Sequence, residues 1–554
     1  MGVVKKGTGR TEAEKILLYN AKVYVTKGVF TEAVLIEKGF ILAVGTSEEL
    51  LLLADADTKK INCEGKTLIP GLNDSHLHFI QFGETLAQAP IDGVSSIDEM
   101  IRICRKFAED HPERVRNGMH ATGWNQDLFV DEKRMPNRFD LDKISTEYPI
   151  VLERVCGHVV AGNTKLIEML GIDGDSPQFP DGTFTIGPDG HPDGIFTENA
   201  CNYAKAVIPD FTIEERRDLL LQTMEYAVRH GLTSVQSNDI GTSFMGDPQE
   251  AFDMYRNVYD SGEALLRFRH QVCFNDFKSF EDHLSDWKVE NEKYGKDSWL
   301  TLGPLKLFKD GSLGARTCLM KDGYVGDRDN HGIEWMSDEE MVRFCQLARD
   351  HGIQVVTHCI GDLAVEKTIR CYEQAFVDGK NKLRHSLIHC QITNPELLDR
   401  IRKDDIPVFA QPIFLDYDMK IVEKLCGKAL AATSYNFGTL HRNGVHVSYG
   451  TDCPVEDCNP FPNICLAVTR RDKNGFPEGG FYPKECVSPA DAVDCYTQES
   501  AYCEFQEDVK GRIQKGYYAD LVLLDRDLFT VDPMEIREIL PVMTMVGGRI
   551  VYER

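Results

Sequence analysis

Residues 68–79 read LIPGLNDSHLHF: an apolar run, a Pro-Gly turn signal, and two histidines separated by one leucine. Side chains at positions i and i+2 of a strand point to the same face. His76 and His78 would therefore share a face, with Leu77 on the other. Two imidazoles on one face can bind a single metal ion, although two core histidines would give the same pattern. The rest of the chain must distinguish these interpretations.

Three later strand-like segments also end at a residue that can bind a metal. IQVVTHC brings His358 to its end, RHSLIHC brings His389, and VHVSYGTD ends at Asp452. Imidazole and carboxylate groups suit zinc and other borderline divalent ions. Independent core histidines would not be expected to align in this way, so the pattern favours a metal site.

Lys306 is a further candidate for a side chain that faces into the barrel. In TLGPLKLFKDGS (301–312), the alternation places Lys306 on one strand face, whereas Lys309 has the opposite parity. A lysine inside a barrel is costly unless it is paired or chemically changed. Near metal ions, a neutral amine can take up carbon dioxide and become a bridging ligand. The alternative is a buried pair between the lysine and a carboxylate.

The middle of the chain alternates apolar strand-like runs with helical stretches, which is typical of parallel β/α units. Eight such runs are present and predict a (β/α)8 TIM barrel with reactive groups at the carboxyl ends of its strands. They are TLIPGL (67–72), LTSVQS (232–237), RFRHQVCF (267–274), TLGPLKLF (301–308), IQVVTHC (353–359), RHSLIHC (384–390), IPVFAQPIF (406–414) and VHVSYGTD (445–452).

Strand-like runs near both termini predict a small β-domain made from residues 1–67 and 491–554, with the barrel over 68–490. The gap between the first two barrel strands is too long for one crossover helix. We therefore expect an inserted subdomain at residues 90–210.

Composition excludes several classes of partner. The chain has 62 basic and 88 acidic residues, a formal charge of -26, which would repel a nucleic acid. It has no run of roughly 18 apolar residues, so we expect no membrane-spanning helix. Its 17 cysteines form no CxxC pair, so we expect reduced thiols and a cytoplasmic protein.

The segments PGLNDSHLH, HCIGD, RHSLIHC and YGTDCPVE, with an inward lysine before DGS, resemble the amidohydrolase superfamily. Within it, they resemble specifically the YtcJ-like branch, which is related to N-substituted formamide deformylases. The resemblance covers nearly the whole chain, including CGHVVAGN and GRIQKGYYADLVLLDRDLFTVDP. The resemblance implies a distorted TIM barrel, a β-sandwich-like domain formed by both termini, and an α/β subdomain inserted after barrel strand 1.

The resemblance also implies a set of site residues. The metal ligands would be His76, His78, Lys306, His358, His389 and Asp452. They would hold one or two divalent ions, with zinc expected, and N-carboxylated Lys306 as a bridge. Candidate substrate-binding residues are Trp124, Asn125, His158, Asn163, Arg316 and Gln411, for which loop packing or capping is the alternative. His158 and Asn163 match the family pattern GHxxxxN.

The implied activity is metal-dependent hydrolysis of a non-peptide C–N bond, in an amide, formamide or cyclic amide, by a metal-activated hydroxide. Asp452 would move the proton to the leaving nitrogen. The expected partners are a small amide substrate and a second copy of the chain. Two alternatives stay open: a heterocycle deaminase with one metal, and a non-catalytic scaffold. The deaminase is disfavoured because Asp362 follows His358 where such enzymes usually have a glutamate.

Overall fold

The computed structural model describes residues 3–4, 15–241, 248–274, 276–294 and 299–554. The chain forms two compact units, one of residues 1–79 and 221–554, the other of residues 80–220. Of the described helices, none is long and apolar enough to cross a membrane.

The strands of the described residues are numbered in chain order. They are β1 (Val3–Val4), β2 (Ile16–Tyr19), β3 (Lys22–Thr26), β4 (Val29–Thr31), β5 (Ala33–Glu37), β6 (Phe40–Gly45), β7 (Lys59–Asn62), β8 (Thr67–Pro70), β9 (Leu72–Leu77), β10 (Met119–Trp124), β11 (Ile150–Arg154), β12 (Val159–Gly162), β13 (Gly182–Ile186), β14 (Pro192–Glu198), β15 (Leu232–Ser237), β16 (Arg267–Val272), β17 (Leu300–Phe308), β18 (Val355–Cys359), β19 (Ser386–His389), β20 (Val408–Ala410), β21 (Val447–Tyr449), β22 (Leu521–Leu524), β23 (Pro541–Val546) and β24 (Arg549–Glu553).

The helices are numbered likewise. They are α1 (Ser47–Leu53), α2 (Phe79–Leu86), α3 (Ile97–Asp110), α4 (Arg138–Leu141), α5 (Thr164–Leu170), α6 (Ala200–Lys205), α7 (Ile213–Arg229), α8 (Pro248–Asp260), α9 (Phe277–Tyr294), α10 (Asp338–Asp350), α11 (Asp362–Glu373), α12 (Pro395–Lys403), α13 (Leu415–Asp418), α14 (Val422–Cys426), α15 (Lys428–Ala431), α16 (Phe437–Arg442), α17 (Pro460–Thr469), α18 (Pro489–Tyr496) and α19 (Gln498–Cys503). Short 3-10 turns occupy Gln126–Leu128, Pro412–Phe414, Pro483–Glu485 and Pro533–Glu538.

Both ends of the chain contribute to one pair of sheets. The larger has the order β1-β24-β23-β22-β8-β3-β4, and the smaller β6-β5-β2-β7. Apolar side chains from the two sheets, such as Leu18 and Ile36 from one and Leu521 and Met545 from the other, form a shared core. This is the predicted β-sandwich-like domain, in which local hairpins such as β5-β6 and β23-β24 are joined by pairing between distant strands such as β8 and β22.

The described strands also form an eight-stranded parallel sheet in the order β9-β15-β16-β17-β18-β19-β20-β21. Backbone bonds continue across the gap between the two outer strands: the N–H of Asp452 donates to the carbonyl of His76 (2.9 Å), and that of His78 to Cys453 (2.7 Å). The sheet is therefore nearly closed, and the prediction of a distorted TIM barrel is confirmed.

The first barrel strand was predicted at 67–72, and this is wrong. Residues 67–70 form β8 in the terminal sheet, and the barrel strand is β9. The chain changes partners at Gly71, whose N–H donates to Asp520 of the terminal domain, whereas Leu72 donates to Gly231 of the barrel. A Cβ at Gly71 would lie only 2.7 Å from the Cβ of Thr233, so only glycine permits this approach.

Two further boundaries differ from the sequence prediction. The run 406–414 forms a strand only over Val408–Ala410, because Pro412 has no N–H for a ladder and starts a 3-10 turn. Helices α18 and α19 lie in the segment predicted for the terminal domain, 491–554, but they contact the barrel strands β21 and β9.

Two of the helical stretches that alternate with the barrel strands, α10 and α12, begin directly after a side-chain cap. The Ser337 hydroxyl accepts from the N–H of Glu340 at the start of α10. Asn394 caps α12 in the same way, with Pro395 at the first helical position. These local signals explain why both helices could be placed from the sequence.

The unit of residues 80–220, predicted as an insert at 90–210, has its own sheet in the order β10-β11-β12-β14-β13. β10 and β11 are parallel, and the other pairs are antiparallel. One core around α3 contains Met100 and Leu152, and another around α5 and α6 contains Leu166 and Phe196.

The amino end of the barrel holds a buried ionic cluster. Glu504 forms an ion pair with Lys510 and accepts a hydrogen bond from Asn73 of β9 (2.7 Å), while Lys510 donates to Ser234 of β15 (2.8 Å). Both charged side chains are at most 7% exposed. Because the cluster connects two barrel strands to the chain after α19, it fixes that segment beneath the barrel.

We expect Glu504→Ala to lower the free energy of unfolding by about 3–5 kcal/mol, because it leaves the Lys510 ammonium buried without its carboxylate. The midpoint of thermal unfolding measures this. Glu168→Ala, which breaks the surface pair with Lys165, is the control and should cost less than about 1 kcal/mol. Equal losses in the two variants would contradict the role assigned to the cluster.

Candidate metal centre

The predicted metal ligands all lie at the carboxyl ends of the barrel strands, where such barrels carry their reactive groups. They are His76 on β9, His78 directly after it, Lys306 on β17, His358 on β18, His389 on β19 and Asp452 after β21. Each lies beside another member of the set, as the following distances show.

His76, His78 and Asp452 form the tightest group. The Nε2 atoms of both histidines are 3.3 Å from Oδ1 of Asp452. One donor atom from each of the three residues lies within 4.8 Å of the others. Two imidazole nitrogens and one carboxylate oxygen at this spacing can bind a divalent ion.

The other ring nitrogen of each histidine in this group is held by an oxygen. Nδ1 of His76 donates to the side-chain oxygen of Gln271 (2.7 Å), and Nδ1 of His78 donates to the backbone carbonyl of Asn238 (2.9 Å). The amide nitrogen of Gln271 donates to the carbonyl of Ser75 (2.9 Å), which fixes its orientation. Each Nε2 therefore carries a lone pair directed at Asp452, the arrangement that metal-binding histidines need.

The surroundings of the Asp452 carboxylate favour a bound cation. Burial raises the pKa of its carboxyl group, but the adjacent His78, His389 and His76 side chains hold that pKa well below its usual range. Among the described residues, Oδ1 is nevertheless buried without a hydrogen-bond partner. Unsatisfied buried oxygens are rare because their desolvation is costly, so this oxygen fits a metal ion.

His358 and His389 form a second group beside the first. Their ring centroids are 4.5 Å apart, and the His389 ring is 5.7 Å from that of His76. Nδ1 of His389 donates to Gln411 (2.8 Å), while Nε2 of His358 is 3.2 Å from the carbonyl of Gly311. Burial lowers the pKa of His389 to about 4, so its imidazole is neutral at physiological pH.

Lys306 points into the barrel as its parity predicted. Its Nζ is 3.4 Å from Nε2 of His76 and 4.4 Å from the centroid of the Phe308 ring. Among the described residues, no carboxylate lies within ion-pair distance of it, and burial lowers its pKa to about 8. Lys309 instead pairs with Glu334 and Asp338 (2.7 Å each).

Several site residues adopt a backbone conformation that non-glycine residues rarely occupy. His389, Cys390 and Asp452 have φ angles of +71°, +49° and +56°. Each costs on the order of 1–3 kcal/mol and persists only where the surroundings impose it. Such strain is concentrated at functional sites, and here it directs the His389 and Asp452 side chains towards the centre.

Three residues that position the ligands were not predicted from the sequence. Gln271 holds His76, and it follows the inward parity of β16. Asp74 has the same parity as the two histidines, and its carboxylate accepts from the N–H and hydroxyl of Thr451 and from the N–H of His76. Asn238 acts through its carbonyl, for which the side-chain pattern gives no signal.

Three predicted substrate-binding residues are corrected. Trp124 and Asn163 are fully buried in the unit of residues 80–220: the indole N–H donates to Leu152, and Asn163 caps α5. Gln411 is buried and contacts His389 and the carbonyl of Phe409. The contacts of these residues are those of packing, capping and positioning side chains.

The other three keep their predicted role as untested candidates. Asn125 caps a 3-10 turn and accepts from Arg154 (3.0 Å), and exposed His158 lies 3.1 Å from Glu198. Arg316 is exposed in the loop after β17, with a φ of +57°.

A nearly closed parallel barrel with histidine and aspartate donors at its carboxyl end defines a metal-dependent hydrolase. Residues 59–552 match the amidohydrolase family, and the chain belongs to that family.

Three relatives illustrate the match. The chain is 28% identical over 529 residues to YtcJ of Bacillus subtilis strain 168, which is named as an amidohydrolase, covering 95% of this chain and 97% of that one. It is 23% identical to the N-substituted formamide deformylase of Arthrobacter pascens, covering 98% and 99%. The crystal structure of an uncharacterized metal-dependent hydrolase from Pyrococcus furiosus superposes with a TM-score of 0.73 at 26% identity, covering 93% of this chain and all of that one.

We expect Gln271→Leu to weaken metal binding about 10- to 100-fold, because Nδ1 of His76 loses the acceptor that fixes its tautomer. Competition with a coloured chelator measures the dissociation constant.

Gln236→Leu is the matched control for this substitution. Gln236 is also fully buried, on the neighbouring strand β15, and its amide donates to the carbonyl of Ser500 rather than contacting a candidate ligand. Unchanged metal affinity in Gln271→Leu, or an equal loss in both variants, would contradict the positioning role.

Proposed function

We propose that this hydrolase cleaves a C–N bond in an amide, formamide or cyclic amide, using a divalent ion held by His76, His78 and Asp452. The buried, unpartnered Oδ1 of Asp452, 3.3 Å from both Nε2 atoms, is the observation that carries the proposal. A relative over nearly the whole chain is named an N-substituted formamide deformylase, which supports a C–N bond as the target.

Zinc is the ion that we propose, because imidazole and carboxylate donors suit it. His358, His389 and a carboxylated Lys306 would complete the set of ligands and admit a second ion. When bound, such ions supply a Lewis acid and lower the pKa of a coordinated water towards neutrality.

The chain's own groups have separate tasks in this hydrolysis. Asp452 takes up a proton from the attacking water at Oδ2, the carboxylate oxygen not assigned to the metal, and returns it to the leaving nitrogen, a contribution of about 10²- to 10⁴-fold. Gln271 and Asn238 keep the two histidines in one tautomer throughout, because each accepts from an Nδ1–H. Lys306 is buried, and burial lowers its pKa to about 8, which favours the unprotonated amine that reacts with carbon dioxide.

Deamination of a heterocycle at a single ion is the second candidate. Its supporting observation is that Nε2 of His358 faces the Gly311 carbonyl at 3.2 Å, which leaves His76, His78 and Asp452 as the assembled group. Two bound ions per chain would oppose this candidate, and ammonia release without formation of a carboxylate would favour it.

We expect Asp452→Asn to lose most of its bound metal and at least about 100-fold in kcat, because the substitution removes the anion and the proton carrier. Elemental analysis and a screen of N-formyl, N-acyl and cyclic amides measure both. Asp494→Asn is the matched control, since Asp494 is a buried aspartate that accepts from Tyr24 (2.8 Å) and is not a candidate ligand. Full activity of the wild-type chain after complete metal removal would sink the proposal.

We expect metal-loaded protein grown with ¹³C-bicarbonate to show one carbamate carbon signal, and acid to remove it, because a protonated amine releases carbon dioxide. Lys306→Arg should lack the signal. Lys309→Arg should retain it, since Lys309 lies on the other strand face and is paired with carboxylates. Absence of the signal from the loaded wild-type chain would refute carboxylation.

A further inference from the structure

Two aromatic residues of the barrel unit lie beside ligand histidines, and two more lie close to these in space or in sequence. They are Phe308, Trp335, Phe414 and Tyr417. The mechanism above uses none of them, and two of them are largely exposed.

Phe308 and Trp335 form one side. Phe308 shares the inward face of β17 with Lys306, and its ring centroid lies 5.7 Å from that of His358. The ring centroid of Trp335 lies 6.2 Å from that of Phe308. The backbone N–H of Trp335 donates to the carbonyl of Lys309, directly after the strand. The pair therefore runs from the buried ligands to the surface.

Phe414 and Tyr417 form the other side. The Phe414 ring stacks on His389, with centroids 5.9 Å apart and planes 20° apart. Tyr417 follows three residues later, within α13, a spacing that places two side chains on the same face of a helix.

One loop connects the two sides. The carbonyl of Gly311 contacts His358 at 3.2 Å, and a Cβ placed at Gly314 in the same loop would lie 4.0 Å from the Tyr417 ring. Both aromatic pairs therefore border the same opening above the ligands, where His78 and His358 retain some exposed surface.

Exposed rings contribute less to the free energy of folding than buried ones, but they are available to contact a ligand. Trp335 is 65% exposed and Tyr417 61% exposed, although burial of such rings contributes strongly to folding. Small-molecule sites are lined by aromatic side chains around a few placed polar groups. The chain's charge of -26 gives no long-range attraction for an anionic substituent.

We propose that the scissile amide carries an uncharged aromatic substituent, which lies between Trp335 and Tyr417 while the C–N bond lies over the metal ligands. This inference rests on the proposed function. In the reaction, water adds to the carbonyl carbon, the C–N bond breaks, and the nitrogen leaves as an amine with the proton from Asp452. The products are a carboxylic acid and the amine, with no redox change.

Matched pairs of amides test this inference: N-(2-phenylethyl)formamide against its cyclohexyl analogue, and phenylacetamide against cyclohexylacetamide. We expect kcat/KM to be about 3- to 10-fold higher for the aromatic member of at least one pair. Trp335→Leu and Tyr417→Leu should each bring the ratio of the two kcat/KM values to about 1, because kcat/KM falls more for the aromatic member than for the cyclohexyl member. Phe40→Leu, an exposed aromatic of the terminal sheet, should leave both members unchanged.

Hydrolysis of both members with equal kcat/KM would overturn the inference and leave the proposed function standing. Hydrolysis of no amide by the metal-loaded protein would overturn the proposed function instead. In that case Trp335 fluorescence decides: quenching by 2-phenylethylamine but not by 2-cyclohexylethylamine, absent in Trp335→Leu, supports the aromatic subsite. An equal response to both amines overturns it.

Discussion

The closure between β9 and the chain after β21 is the constraint on which the site depends. The carboxylate of Asp74 accepts from the N–H and hydroxyl of Thr451, 377 positions away, and from the N–H of His76. Gly450 permits the approach, because a Cβ there would lie 2.8 Å from the Asp74 carboxylate. One buried side chain thus replaces the missing part of the strand ladder. It sets the distance between the two histidines and Asp452, which no local interaction could fix.

The two ends of the barrel differ in whether their buried charged groups are paired. At the amino end, Glu504 and Lys510 are paired and hydrogen-bonded, so their charges are satisfied within the chain. At the carboxyl end, Oδ1 of Asp452 has no hydrogen-bond partner, and Lys306 has no carboxylate within ion-pair distance among the described residues. A fold that pairs its charges at one end and leaves them unsatisfied at the other accepts a cost in stability where a ligand can compensate it.

Much of the site followed from strand parity, and the failures have physical causes. The alternation in β17 separated Lys306 from Lys309 correctly, because successive side chains must point to opposite faces. The same rule could have found Gln271 and Asp74, which share the parity of inward positions. It could not find the carbonyl of Asn238, since every residue has one. The sequence predicts that Gln411 binds substrate, because a polar residue after a strand can form a hydrogen bond with either a ligand or a neighbouring histidine.

The sequence by itself determined the class of fold, the β-domain shared by both termini and the strand ends that carry imidazole and carboxylate groups. These properties depend on periodicity, turn residues and helix caps, which act over a few residues. Only the tertiary structure decided where the terminal sheet gives way to the barrel at Gly71, which nitrogen of each histidine faces Asp452, and which aromatic rings border the opening. Those features depend on contacts between segments hundreds of residues apart, and no local pattern encodes such distances.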